Sequence, residues 1–192
     1  DPIRIYKLAK SKEDLQQQVF SLMDTVGLAR RLAYAYPHEL DGGRRQRIGI
    51  ARALSLEPRF IVCDEPVSAL DVSIQAQILN LLQDLQEEKG LTYIFITHDL
   101  GVVANMADRI CVMYAGKIVE VGTAREIFYS PAHPYTWALL SSMPDLETKE
   151  RLFSIPGTPP NMIFPPKGDA FAERNQYAMQ VDFEEEPPMF RV

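Results

Sequence analysis

The sequence predicts an α/β fold built on a parallel sheet, preceded by a helical segment and followed by an irregular extension. Three observations carry this. Short continuous apolar runs at 60–63, 92–96 and 109–114 read as buried strands. The segments between them repeat their apolar residues at helical spacing. Beyond residue 130 the helical pattern breaks up, and ten of the chain's 14 prolines lie there. With 192 residues, 46% hydrophobic and 24% charged, the chain has ample material for a packed core and none of the sparse apolar content of a disordered one.

Taken in order, residues 11–28 form a helix. Ser11 is placed to cap it, Glu13 and Asp14 suit its first turn, and Leu15, Val19, Leu22, Met23 and Val26 recur on one face until Gly27 stops it. A second helix starts near Gly42-Gly43, runs through Ile48, Ile50, Ala51 and Leu54 to about Leu56, and gives way before Pro58. The run at 60–63 is expected to be a strand buried on both faces. Ile74, Ile78, Leu81, Leu82 and Leu85 then make a helical stripe across 73–89, with Gly90 as its stop. A strand at 92–96, a short helix at 100–106 and a third strand at 109–114 follow, completing the grammar of a parallel α/β sheet. Ala115-Gly116 turns that third strand into 117–121 as a hairpin. The extension is expected to be loops apart from a helix at about 135–142, with Asp182 and Glu184–Glu186 on a solvated tail. The organisation is therefore a helical part over 1–58, an α/β part over 59–129 and a proline-rich extension over 130–192.

The formal charge of −6 argues against nucleic acid as a partner, because phosphate backbones reward excess positive charge. Arg44, Arg45, Arg47 and Arg52 are scattered round one helix and do not alter that reading. No apolar run approaches the roughly 20 residues of a membrane helix, and the mean hydropathy is −0.13. The two cysteines, Cys63 and Cys111, each sit inside an apolar run and are read as small buried hydrophobes in a reduced, cytosolic protein.

Chemistry concentrates at three places. Four apolar residues followed by Asp64-Glu65-Pro66 put two carboxylates at the C-terminal end of a parallel strand, the edge where open α/β sheets bind ligands. In nucleoside triphosphatases an acid here holds a magnesium shell and its neighbour polarises the attacking water. A helix cap or surface pair is the structural alternative for these acids. Thr97-His98-Asp99 ends the next strand, so His98 projects from the same sheet edge, unless it is an ordinary helix-entry histidine beside a capping Asp99. Leu40-Asp41-Gly42-Gly43-Arg44 opens a helix with two glycines whose bared N–H groups suit a phosphate, with a flexible turn as the alternative.

The order Leu40-Asp41-Gly42-Gly43-Arg44, then Phe60 to Pro66, then Ser68-Ala69-Leu70-Asp71, then Ile96-Thr97-His98-Asp99 resembles the ATP-binding subunits of ABC transporters. These carry a signature LSGGQ, a Walker B strand, a D-loop and a switch histidine in that order. The resemblance implies a partial ABC-type ATPase domain. It makes Asp64 the metal-holding aspartate, Glu65 the catalytic glutamate and His98 the catalytic switch residue. Asp41, Gly42, Gly43, Arg44 and Asp71 become contacts to ATP. Ser130-Pro131-Ala132-His133-Pro134-Tyr135-Thr136 and Ile155-Pro156-Gly157-Thr158-Pro159-Pro160 are similar to the C-terminal extension of oligopeptide and dipeptide importer ATPases. That type implies hydrolysis of ATP with Mg²⁺ to power peptide import and a second ATP-binding subunit, identical or paralogous. It also implies transmembrane permease subunits, an extracytoplasmic peptide-binding protein acting indirectly, and a peripheral place at the cytoplasmic face of the cell membrane. A non-catalytic regulatory or partner-docking module is the alternative, and an ABC-type ATPase of DNA repair or translation is disfavoured by the extension.

The sequence departs from the family in three ways. In the family a Gly-Cys-x-Phe-x-x-Arg-Cys segment supplies thiolates for an iron–sulfur cluster; the corresponding residues here are Asp169, Asn175 and Asp182, so no such cluster is expected. The signature reads LDGGR, with Asp41 where the family usually has Ser and Arg44 where it usually has Gln. No G-x-x-x-x-G-K-[ST] phosphate loop occurs in the 192 residues, which reads as a portion lacking the half of the domain that carries it. Since that loop's backbone N–H groups and lysine contribute most of the affinity for a triphosphate, the 192-residue chain should show no saturable ATP binding at millimolar Mg·ATP. Titration calorimetry is the check, and a sub-millimolar, Mg²⁺-dependent affinity would overturn the expectation.

Overall fold

A computed structural model describes residues 2–142 and 155–191. The chain forms two compact units, Asp1–Met106 and Ala107–Val192. In the first, a single turn α1 (Pro2–Ile5) precedes α2 (Lys12–Thr25), α3 (Gly42–Leu54), β1 (Phe60–Asp64), α4 (Val72–Lys89), β2 (Thr92–Ile96) and α5 (Leu100–Met106). The second holds β3 (Arg109–Tyr114), β4 (Lys117–Thr123), α6 (Ala124–Tyr129), α7 (Pro134–Ser141) and two short 3₁₀ turns, Ala172–Arg174 and Gln180–Phe183.

Local chemistry sets the ends of these elements. The Ser11 hydroxyl accepts from Asp14 N at 3.1 Å and opens α2. At the other end Gly27 takes φ +65°, and the carbonyl of Val26 is satisfied by Arg47 Nη1 of α3 at 2.7 Å. That bond ties two helices at a point where the backbone would otherwise carry an orphan acceptor. Helix α3 ends at Leu54, two residues short of the expected boundary, because Glu57 turns into the left-handed region at φ +48°. Asp71 opens α4 by accepting from Ile74 N at 3.0 Å, and Gly90 closes it at φ +62°.

Strands β1 and β2 pair in parallel, Phe60 opposite Thr92 through Asp64 opposite Ile96. One face of this sheet carries Ile61, Cys63, Tyr93 and Phe95; Ile61, Tyr93 and Phe95 pack with the α4 stripe of Ile78, Leu82 and Leu85, all three fully buried, and Cys63 is buried as well. Tyr93 Oη donates to Leu82 O at 3.0 Å across that seam. Burial pushes the Cys63 thiol up to about 11, so it is inert, as a buried hydrophobe should be. The opposite face corrects the expectation of strands buried on both sides: Phe60, Val62, Ile94 and Ile96 are about half exposed. Successive strand residues point to opposite faces, and α4 covers only one of them.

The second unit departs further from the sequence reading. β3 joins no parallel sheet. It pairs antiparallel with β4 in the hairpin expected at Ala115-Gly116, where both residues take positive φ (+48° and +80°) as a tight primed turn requires, and this two-stranded sheet is separate from the β1–β2 ladder. Strand alternation then buries Val112 and Tyr114 and leaves Cys111 exposed, contrary to its reading as a buried residue. The extension is largely loops, as expected, yet it has its own aromatic core. Tyr114, Tyr135 and Phe171 meet with ring centroids 4.7–5.4 Å apart, and Arg174 donates to Tyr114 Oη at 3.1 Å and to Pro156 O at 2.9 Å. Glu120 of β4 grips the loop before α7 with both oxygens, accepting from Ala132 N at 2.7 Å and His133 N at 3.1 Å.

His133 caps α7 with its ring: Nδ1 accepts from Tyr135 N at 3.1 Å. Only the neutral tautomer protonated at Nε2 has that lone pair free. Burial holds the His133 pKa below the usual histidine value, against the opposing charges of Asp169 and Glu120. A folded value depressed below about 6.5 means stability that is present above pH 6.5 and lost as pH falls through the folded value. The second unit should therefore lose about 1 kcal/mol between pH 8 and pH 5, the worth of one cap. His133→Asn, which caps without titrating, should flatten that dependence in thermal melts, and an unchanged slope would contradict the cap assignment.

Candidate functional site

Every residue singled out for chemistry falls in the first unit. The in-register β1–β2 ladder ends at Asp64 and Ile96, so both chains leave the sheet at the same height, and the residues that follow, Glu65 on one side and Thr97-His98 on the other, emerge together. His98 Nδ1 lies 3.0 Å from Glu65 Oε1. An ionised carboxylate only accepts, so Nδ1–H donates and Nε2 is the ring atom left to face outward. Both side chains stay open to solvent, His98 at 74% and Glu65 at 49% exposure.

Glu65 stands in a costly conformation. Its φ is +44°, left-handed for a residue with a Cβ, and Pro66 after it favours extended backbone instead. Bonds on both sides enforce it. Glu65 N continues the ladder by donating to Ile96 O at 2.8 Å, and Glu65 O accepts from Ser68 Oγ at 3.2 Å. The strand thus ends in a turn that swings the Glu65 side chain toward His98. Such strain persists only where the surroundings over-determine it, and it is common at functional sites.

Asp64, the last residue of β1, is exposed at the strand tip. Among the described residues no three His, Cys, Asp or Glu side chains converge at metal-binding spacing. A single carboxylate fits Mg²⁺, which keeps much of its shell for water and substrate phosphates. Asp71 is the N-cap of α4. Asp41 is likewise the N-cap of α3, accepting from Arg44 N at 2.8 Å, and its other oxygen lies 3.4 Å from Arg44 Nε. The two departures from the family signature therefore contact each other. Gly42 and Gly43 have a packing reason to be glycine: an added Cβ would meet Leu70 Cδ2 at 2.9 Å and Ile74 Cγ2 at 2.6 Å. The turn-opening signature is thus seated on the Ser68–Asp71 loop and the first turn of α4. No hydrogen bond or ion pair among the described residues joins Asp41 or Arg44 to Glu65 or His98.

Sequence reasoning missed Gln75. Its Nε2 lies 3.3 Å from Asp99 Oδ2, linking α4 to the His98 loop. The available signal was its position, one turn after Asp71 on the face beside Ile74. In the extension, the three residues at thiolate positions close local turns instead. Asp169 Oδ1 accepts from Phe171 N, Asn175 Oδ1 from Tyr177 N and Asp182 Oδ2 from Met179 N, at 2.8–3.0 Å. Oxygen donors already committed to backbone do not fit an iron–sulfur cluster.

The strain at Glu65 is testable. Glycine adopts positive φ freely, so Glu65→Gly should be more stable than Glu65→Ala by about 1 kcal/mol, the reverse of the order at an ordinary extended position. Urea unfolding of the two variants, both lacking the bond to His98, is the measurement. Ala as the more stable would show the backbone there to be relaxed.

Residues 4–68 match the family model for the ABC transporter, and residues 119–181 match that for the oligopeptide/dipeptide transporter C-terminal region. The chain is 58% identical over 186 residues to the oligopeptide transport ATP-binding protein OppD of Bacillus subtilis, covering 95% of this chain and 52% of that protein. It is 52% identical over 195 residues to the dipeptide transport ATP-binding protein DppD of Lactococcus lactis subsp. cremoris, covering 100% and 56%. It spans about half the length of these curated relatives. Among solved structures it resembles cbiO1 from Clostridium perfringens, part of the ABC transporter complex cbiONQ, with a TM-score of 0.58 and 28% identity over 67% of this chain and 51% of that one. The architecture is that of a partial ABC-type α/β domain. With identities above half along nearly its whole length, and the second model matching its extension, the chain belongs to the ABC transporter ATP-binding proteins, in their oligopeptide/dipeptide branch.

Proposed function

We propose that this chain is part of a subunit that hydrolyses ATP to power peptide import. The observation that supports it most is the Glu65–His98 pair, 3.0 Å apart at the end of a parallel ladder, with Glu65 held at positive φ to make the contact. A carboxylate placed there accepts a proton from, and polarises, a water attacking a terminal phosphate. His98 orients that carboxylate through Nδ1. Doubly protonated, it also donates from Nε2 to a phosphate oxygen whose charge grows in the transition state. Asp64 is the residue that would hold Mg²⁺, which supplies charge neutralisation at the phosphates. The N-terminus of α3, with Gly42 and Gly43 bare, faces nucleotide presented by a second ATP-binding subunit, with Asp41, Arg44 and Asp71 as further contacts.

On this reading 1–58 is the signature-bearing helical part, 59–129 the hydrolytic part and 130–192 the importer-type extension. The partners are a second, similar subunit and membrane-embedded permease subunits, with an extracytoplasmic peptide-binding protein acting through them. No helix of the described residues is long and apolar enough to cross a membrane. As in the family's importers, the subunit is taken to work peripherally, at the cytoplasmic face. Curated relatives at 58% and 52% identity are named transport ATP-binding proteins for oligopeptides and dipeptides, which supports the substrate class.

In the full-length polypeptide, Glu65→Gln should retain ATP binding and slow hydrolysis by on the order of 10²–10⁴, the range for loss of a general base. His98→Ala should cost a comparable factor, with binding unchanged. Steady-state turnover together with equilibrium nucleotide binding tests both, and parental turnover in the Glu65 variant would overturn the reading.

A further inference from the structure

His98 reaches Glu65 from a loop only three residues long, Thr97 to Asp99, between β2 and α5. Most bonds that shape this loop are internal to it or to the helix it starts. Asp99 N donates to Thr97 Oγ1 at 3.1 Å, and Asp99 Oδ1 accepts from Gly101 N at 2.8 Å and Val102 N at 3.3 Å. Bonds of that kind keep the loop and α5 together as a piece, which the buried Val102 seats in the apolar core of the first unit. Two side chains of α4 add hydrogen bonds to it from outside. Gln75 Nε2 donates to Asp99 Oδ2 at 3.3 Å, where α5 begins, and Gln83 Nε2 donates to Asn105 O at 3.1 Å, near its end. The two glutamines are eight residues apart, close to two helical turns, so they lie on one face of α4. That helix is itself fixed by the buried Ile78, Leu82 and Leu85.

We infer that Gln75 is a positioning residue for the Glu65–His98 pair: by holding Asp99 against α4, it fixes the loop from which His98 meets Glu65. The amide is suited to this because Asp99 Oδ1 is spent on capping α5, leaving Oδ2 as an acceptor for a neutral donor. Gln75 also follows Ile74, whose methyl packs on Gly43. The first turn of α4 therefore touches the signature's Gly43 on one side and the His98 loop on the other. A shift of either is felt by the same rigid element. The inference rests on the ATPase reading of the pair.

The test uses the full-length polypeptide with Gln75→Met, Gln75→Glu, the exchanged pair Gln75→Glu/Asp99→Asn, and Glu65→Gln as the reference. Gln75→Met, of similar size and without the donor, should lower kcat about five- to tenfold with KM unchanged, since the role assigned to Gln75 acts through Asp99 on the placement of His98. Gln75→Glu sets two carboxylates face to face and should lower kcat further. The exchanged pair restores one donor and one acceptor while an Asn oxygen still caps α5, so kcat should return to within about threefold of the parent. A general loss of fold would not be rescued by that exchange. Parental kcat in Gln75→Glu, or an exchanged pair no faster than Gln75→Glu alone, overturns the positioning role. If hydrolysis is abolished in Glu65→Gln in the same series, the failure belongs to Gln75 alone; if Glu65→Gln turns over at the parental rate, the ATPase reading of the pair has failed.

Discussion

The site depends on the register of one two-stranded ladder. Because Phe60 pairs with Thr92 and Asp64 with Ile96, the residue after each strand leaves the sheet beside the other, and Glu65 N still finds Ile96 O at 2.8 Å. A one-residue slip would turn the whole apolar set of β2 to the opposite face, placing Ile94 and Ile96 against α4 and Tyr93 and Phe95 outward. The burial of Ile78, Leu82 and Leu85 against Ile61, Tyr93 and Phe95 therefore does more than stabilise the first unit. It fixes which atoms meet 3.0 Å apart at the sheet edge, and the geometry of the Glu65–His98 pair inherits its precision from hydrophobic packing well away from it.

Above that ladder, α4 serves as a common abutment. Its N-terminal turn receives the bare backbone of Gly43, its cap is Asp71, just after the Leu70 that Gly42 meets, and its side chains reach the loop carrying His98. A Cβ at Gly43 would sit 2.6 Å from Ile74, too close for a rigid, branched neighbour to accommodate without moving. The signature's glycines thus meet two demands at once. They bare N–H groups at a helix N-terminus, and they let two helix starts approach closely enough for a shift in one to be felt by the other.

Much of this was legible in the sequence, for a physical reason in each case. Helix α5, strands β2 and β3, and the caps Ser11 and Gly90 were readable because their signals are local: capping oxygens, a glycine at positive φ, apolar spacing. Asp64, Glu65 and His98 were readable because acids or a histidine after an apolar strand point to a sheet edge. Pairing partners were not local information. The turn at Ala115-Gly116 announces the β3–β4 hairpin, but nothing in the apolar run of β3 says whether its other edge extends the β1–β2 sheet, and it does not. The half-exposed face of Phe60, Val62, Ile94 and Ile96 escaped for the same reason, since a continuous apolar run does not say how many layers cover it. Gln75 was invisible because a glutamine on a helix is ordinarily solvated, and only the fold brings Asp99 within 3.3 Å of it.

The unusual signature can now be weighed on geometry. An N-cap needs a side-chain oxygen, and Asp41 provides one as well as the serine usual in the family, 2.8 Å from Arg44 N, with a negative charge that the positive end of α3 favours. The same charge would repel a phosphate approaching that end. Arg44 answers it from one turn on, its guanidinium Nε 3.4 Å from the second carboxylate oxygen. Both side chains are about half exposed, so the ion pair adds little to stability. Its effect is on the field outside the helix: the pair is neutral overall, and Arg44 has further N–H donors than the one facing Asp41, which leaves it able to meet an anion while the aspartate is occupied. Changing either residue alone would leave a net charge at the mouth of the helix, and for that reason the two departures are best understood as one substitution.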